Sequence, residues 1–181
     1  MRRFMQNALA AALLWSVIAA FPATATAQVE VEVDPIAYAL HGYSLHVAKV
    51  LGRTRLDVGA FGVEVPSRVH GNEGWTATMR GVGLKWDYVG SSSYGAFVGV
   101  DPGYVQARYT VDATGQSETR GIIGIGIRGG YRLPLGPRGL YVTPWASVSY
   151  NLGGDEVRIG NARFARKSVE IFPTIHIGWR F

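Results

Sequence analysis

The sequence predicts an all-β protein, an antiparallel transmembrane up-and-down β-barrel of eight strands, formed after removal of a leader. Three observations carry this expectation. Residues 169–181 alternate between two faces that no single core would accept. The chain holds 24 Gly, nine Tyr and five Trp but no Cys, a composition for a tightly curved sheet whose aromatic residues sit where apolar surface meets water. Its first 27 residues are laid out for export.

In that leader, Arg2 and Arg3 form a positive start, residues 8–21 an apolar run, and Ala25-Thr26-Ala27 a small-residue cleavage site before Gln28. The apolar run is shorter than the roughly 20 residues of a membrane-crossing helix. The domain plan is then a signal peptide at 1–27, an N-terminal lead at 28–42 and the barrel at 43–181. Without Arg2 and Arg3 the formal charge falls by two, from +5 to +3. No basic run carries interleaved aromatics, so nucleic acid is not an expected partner. The absence of cysteine excludes disulfides and thiol chemistry.

The elements follow in chain order. Gln28-Val29-Glu30-Val31-Glu32-Val33 alternates, and reads as a short strand or as a flexible lead, because its Glu face has no basic partner nearby in sequence. Asp34-Pro35 suits an N-cap and first helical position, with Gly42 as the stop; a strand starting at Ile36 is the competing reading. Tyr43, Leu45 and Val47 alternate with Ser44, His46 and Ala48, and Gly52-Arg53 turns the chain into a strand where Leu56, Val58 and Ala60 oppose Arg55, Asp57 and Gly59.

Residues 66–74 are a polar loop. Over 75–89, Val82, Leu84, Trp86 and Tyr88 alternate with Gly81, Gly83, Lys85 and Asp87: large residues outward, glycine and charge inward. Val98 and Val100 then share a parity that Val105, Ala107, Tyr109 and Val111 lack, which places a β-bulge at Asp101-Pro102-Gly103 within one long strand. After a loop at 112–117, Ile123, Ile125, Ile127 and Tyr131 oppose Gly124, Gly126, Arg128, Gly130 and Arg132. A compact turn at 135–139 leads to 140–152. Gly160-Asn161 marks a hairpin tip that extends the neighbouring strands. These segments give seven strands; the eighth must come from within residues 29–40, since such barrels have even strand numbers.

In the closing stretch, Val169, Ile171, Pro173, Ile175, Ile177, Trp179 and Phe181 share one face, and Glu170, Thr174, His176, Gly178 and Arg180 the other. Lipid outside and a polar lumen inside accommodate that split. The terminal Phe181 with Trp179 two residues before it resembles the C-terminal signature of small bacterial outer-membrane β-barrels. The resemblance implies pairing of the last strand with the first and residence in the outer membrane of a Gram-negative cell envelope. It implies insertion by the barrel-assembly machinery, which reads Trp179 and Phe181, and contact with outer-membrane lipids and lipopolysaccharide. It also puts the short turns at Gly52, Gly90 and Gly136 on the periplasmic side and the loops near Gly71, Gly115 and Gly160 outside.

The expected lumen set is Arg55, Asp57, Lys85, Asp87, Arg108, Arg128, Arg132, Glu170, His176 and Arg180. So narrow a lumen forces these charges into an ion-pair network that fills it; a conducting pore, the alternative, would favour anions because the set is mostly basic. The expected membrane-facing set is Val82, Leu84, Trp86, Tyr88, Ile123, Ile125, Ile127, Ile175, Ile177 and Trp179. Trp75, Trp86, Trp145 and Trp179, with Tyr88, Tyr131 and Tyr150, are expected in interfacial girdles.

Ser44 and His46 are the weak catalytic candidates, a hydroxyl and an imidazole on one strand face. Ser-Leu-His at 44–46 resembles, in reversed order, the His and Ser that small lipid A deacylase barrels carry on one strand. His41, His70 and His176 lack metal-ligand spacing, and Gly121 to Gly130 has no helix after it to cradle phosphate; no metal or cofactor is expected. Three functions therefore compete. The first is a structural or surface-interaction barrel without an assigned reaction, the second a lipid A-modifying deacylase-like enzyme. The third is a lipocalin-like periplasmic carrier, in which the apolar set lines a cavity.

Overall fold

The computed structural model describes residues 28–90, 94–153 and 156–181; the leader expected at 1–27 lies outside them. No helix among the described residues is long and apolar enough to cross a membrane. The strands are β1 (Gln28–Val33), β2 (Tyr43–Leu51), β3 (Thr54–Val65), β4 (Trp75–Tyr88), β5 (Gly95–Val100), β6 (Gly103–Val111), β7 (Ser117–Pro134), β8 (Leu140–Leu152), β9 (Glu156–Ile159), β10 (Ala162–Ala165) and β11 (Val169–Arg180). Two short helices join them, α1 (Pro35–Ala39) and α2 (Ser67–His70).

All pairings are antiparallel: β1 to β4 pair in chain order, β5 and β6 both lie between β4 and β7, β7 pairs with β8, β8 with β11, and β11 returns to β1, closing the sheet. With β5 and β6 forming one stave, the ring has eight staves: an up-and-down barrel. Period-two alternation makes this closure possible, because every stave presents one face outward and the other to the lumen. The first stave is β1, paired with β2 on one edge and β11 on the other. The barrel wall therefore includes Gln28–Val33, ahead of residue 43.

Asp34 accepts a 2.8 Å hydrogen bond from the Ile36 amide, and Pro35 opens α1, so the helical reading of this segment holds. The bulge expected at 101–103 is absent. Against β4 the register runs from Trp86↔Val100 to Gly83↔Gly103, and against β7 from Ile127↔Val100 to Gly124↔Gly103, three residues on each side. The chain stays in step: the Asp101 amide donates to Gly126 O and Pro102 O accepts from the Leu84 amide. What changes parity is the apolar residues themselves. Val105, Ala107, Tyr109 and Val111 face inward, into an apolar filling of the upper barrel. There Trp75, Ala77, Ala107, Tyr109 and Ile122 pack with Val157 and Phe164 from the hairpin β9–β10.

That hairpin turns at Gly160-Asn161 as expected. It does not lengthen β8 and β11, however; it is a separate two-stranded sheet folded over the mouth. Phe164 reaches down from it, 4.6 Å from Tyr109 and edge-on to Trp75 at 5.5 Å between ring centroids.

Candidate functional site

The lumen has two tiers. Above is the apolar filling; below, toward Gln28 and Phe181, lies a network of buried charge. Its centre is Arg55, placed inward by the alternation of β3 and without solvent exposure. Its Nε donates to Glu30 Oε2 at 2.6 Å and its Nη1 to Asp57 Oδ2 at 2.9 Å, while Nη2 lies 2.8 Å from Glu32 Oε1. Glu30 continues to Arg180, whose Nε donates at 2.8 Å. Glu32 accepts from the Tyr141 hydroxyl and pairs with His176 Nδ1, each at 2.9 Å.

Across the barrel, Asp87 accepts from Arg132 Nη2 at 2.6 Å, with Arg128 Nε at 3.7 Å. Arg128 lies over the Trp145 ring at 4.1 Å and Arg132 over Phe97 at 4.3 Å, so aromatic faces supply part of what water would. His46 Nδ1 sits between Asp57 at 3.0 Å and Lys85 Nζ at 2.8 Å, its ring 4.9 Å from that of His176. Buried ions on this scale are tolerated only when paired and hydrogen-bonded. Glycine makes the room: a Cβ on Gly59 would land inside the His46 ring, and one on Gly178 inside that of Tyr141.

Arg55, Asp57, Lys85, Asp87, Arg128, Arg132, His176 and Arg180 thus meet in one network. Two expected members do not. Glu170 has lumen parity but lies near the upper end of β11, exposed and above the network. Arg108 is outward and exposed, its Nε donating to Ser117 Oγ, because β6 carries no bulge to turn it in. Two acids that complete the network, Glu30 and Glu32, lay in the segment whose Glu face had no basic partner nearby in sequence. The basic excess read from the sequence shrinks accordingly. The clue was present in the alternation of Val29, Val31 and Val33 with these acids, the same split that marks the last strand.

On the outer surface, Val82, Leu84, Trp86, Tyr88, Ile123, Ile125, Ile127, Ile175, Ile177 and Trp179 are all exposed, Ile127 at 72 %. Trp86 and Trp179, with Tyr88, Tyr131 and Tyr150, share that surface. Trp75 and Trp145 do not: both are buried inside, Trp75 in the apolar tier and Trp145 over the charges. Parity held that information, since Trp145 shares the odd-numbered face of Thr143 and Ser147.

Ser44 and His46 both face the lumen. The Ser44 hydroxyl is buried and makes no hydrogen bond among the described residues, while His46 Nδ1 turns to Asp57 and Lys85. No group of three metal-ligating side chains occurs among the described residues.

No family model and no curated protein sequence matches the chain. Among solved structures it is similar to a major outer membrane protein from Thermus thermophilus, at 14 % identity and TM-score 0.51, covering 86 % of this chain and 100 % of that one. Neisserial surface protein A aligns at 12 % identity and TM-score 0.46, covering 86 % and 94 %. The beta domain of the Bordetella autotransporter BrkA aligns at 13 % identity and TM-score 0.30, covering 86 % and 98 %. The Thermus likeness carries the fold: an eight-stave barrel of the kind found in outer-membrane proteins.

Proposed function

We propose that this chain is an integral barrel of the bacterial outer membrane with a structural or surface-interaction role, its lumen sealed and its outer loops presented to lipopolysaccharide or to partners. The observation that carries the reading is the outward apolar belt set against the buried ions within. Along β7 the belt runs from Ile123 to Leu133. At about 3.3 Å per residue and a tilt of about 40° this spans ~25 Å, the apolar height of an outer-membrane barrel. A soluble carrier would need the opposite alternation, with those isoleucines around a cavity. Trp179 and Phe181 at the end of the closing strand are the contact proposed for the assembly machinery.

Expression of the full chain in a Gram-negative host tests the proposal. The protein is expected in the outer-membrane fraction, extracted only by detergent, with faster gel migration before boiling than after. Recovery from the periplasm without detergent would sink it.

A further inference from the structure

The outer wall carries a groove over β5. Val98 and Val100 point outward there, with Trp86 and Tyr88 of β4 on one side and Ile127 of β7 on the other. The register sets Trp86, Val100 and Ile127 in one row and Tyr88, Val98 and Gly129 in the next. Short side chains between tall ones leave a trough of about 290 Å³, lined by Trp86, Tyr88, Val98, Gly99, Val100 and Ile127. In the second row the β7 neighbour of Val98 is a glycine, so the wall is low on that side.

One wall of the groove ends at the rim nearer Gln28. Tyr88 is the last residue of β4, and its hydroxyl accepts a 3.3 Å hydrogen bond from Arg53 Nη1 in the β2–β3 turn. Arg53 is exposed, and no carboxylate pairs with it among the described residues. The acidic side chains of the lower tier, Glu30, Glu32, Asp57 and Asp87, are all buried in the lumen. A cation without an acidic neighbour thus stands at the foot of an apolar groove.

We propose that the groove holds one acyl chain of an anionic phospholipid in the leaflet nearer Gln28, with the lipid's phosphate on Arg53. This rests on the membrane reading above. The lining is almost wholly apolar, so a peptide or sugar would lose hydrogen bonds on entering, whereas an acyl chain has none to lose. Ligand sites start at about 300 Å³, so the groove suits a single chain. Arg53 spends one N–H on Tyr88, and the rest of its planar fork matches phosphate oxygens. A headgroup with its own ammonium would bring a second cation toward Arg53, which favours an anionic lipid.

Native mass spectrometry provides the test. The protein is reconstituted into vesicles of equal parts phosphatidylglycerol and phosphatidylcholine, released in mild detergent and weighed. One bound phosphatidylglycerol per barrel is expected. Val98→Trp, which fills the groove from an exposed outward position, should abolish the adduct; Val98→Phe takes its place should that variant not fold. Arg53→Ala should lower the occupancy several-fold. Arg138→Ala, which removes an exposed cation from the β7–β8 turn, should leave it unchanged. Inserted barrels that carry no lipid, single or paired with a second copy, overturn the site. So does an adduct that survives both filling variants, and one that takes the two lipids equally or ignores Arg53→Ala is boundary lipid only and overturns it too. Protein that never enters the vesicles overturns the membrane reading itself and the inference with it.

Discussion

Arg55 and Glu30 lie 25 residues apart in the chain and 2.6 Å apart in space, both without solvent exposure. Because Glu30 also holds Arg180, one carboxylate ties the third stave to the first and the first to the last. The β1–β11 ladder that closes the barrel is only four residue pairs long. Ion pairs reaching across it supply what few backbone bonds cannot.

Glu30→Ala should therefore be among the most damaging single substitutions, since it takes one carboxylate at once from the buried Arg55 and from Arg180. Breaking a buried pair from one side costs about 3–5 kcal/mol, to be read as a shift in urea unfolding of the protein refolded in lipid. A Glu30→Ala variant within about 0.5 kcal/mol of the parent, the range of an ordinary surface change, would contradict the closure role.

Gly59→Ala should act through His46. The added methyl occupies the imidazole's place, forcing the ring away from Asp57 and Lys85, and overpacking of this kind costs about 1–3 kcal/mol. The His46→Ala background should remove most of that penalty. Equal penalties in both backgrounds would show that the glycine serves the backbone instead.

How far such relationships could be read beforehand depended on their range. Which face of β4 or β7 turns outward follows from neighbours two apart, so Leu84, Trp86 and Ile125 were legible. The partners of Glu30 and Glu32 were not, because Arg55 and His176 reach them only through register around the ring. The change at Val105 misled for another reason. An apolar residue reads the same against lipid as against an apolar plug, and parity alone had to decide between a shifted strand and a changed interior.

The two-tier filling predicts flat current traces in planar bilayers. Arg55, Arg128 and Arg132, all buried, occupy the lower lumen and the Phe164 cluster the upper one. Stepwise conductance from the unmodified protein would show that one tier opens.

Phe164→Ala should loosen the upper cap without unfolding the barrel. Phe164 is buried against Trp75, Tyr109 and His70, and truncating a buried Phe costs about 3–5 kcal/mol. That loss falls on a two-stranded hairpin whose other deep anchor among the described residues is Val157, so it should appear as faster hydrogen exchange and proteolysis at residues 156–165. Unchanged protection there would mean the hairpin is held by its rim contacts.

Those rim contacts predict a pH dependence confined to the outer loops. Asn72 clamps the hairpin, its Nδ2 donating to Ala165 O at 3.0 Å and its Oδ1 accepting from the Ala165 amide at 2.8 Å. Its own backbone amide donates to His70 Nδ1 at 3.1 Å, which requires that nitrogen to be unprotonated. Burial beside Phe164 lowers the His70 pKa from its usual 6.5. A depressed histidine pKa means the open state binds the proton more readily, so the clamp is at full strength above 6.5 and weakens as pH falls from there toward the lowered value. Amide exchange at residues 162–165 should accordingly be constant above 6.5 and quicken below it, once corrected for intrinsic rates. His70→Gln should flatten the profile, and an NMR titration placing His70 at or above 6.5 would rule the mechanism out.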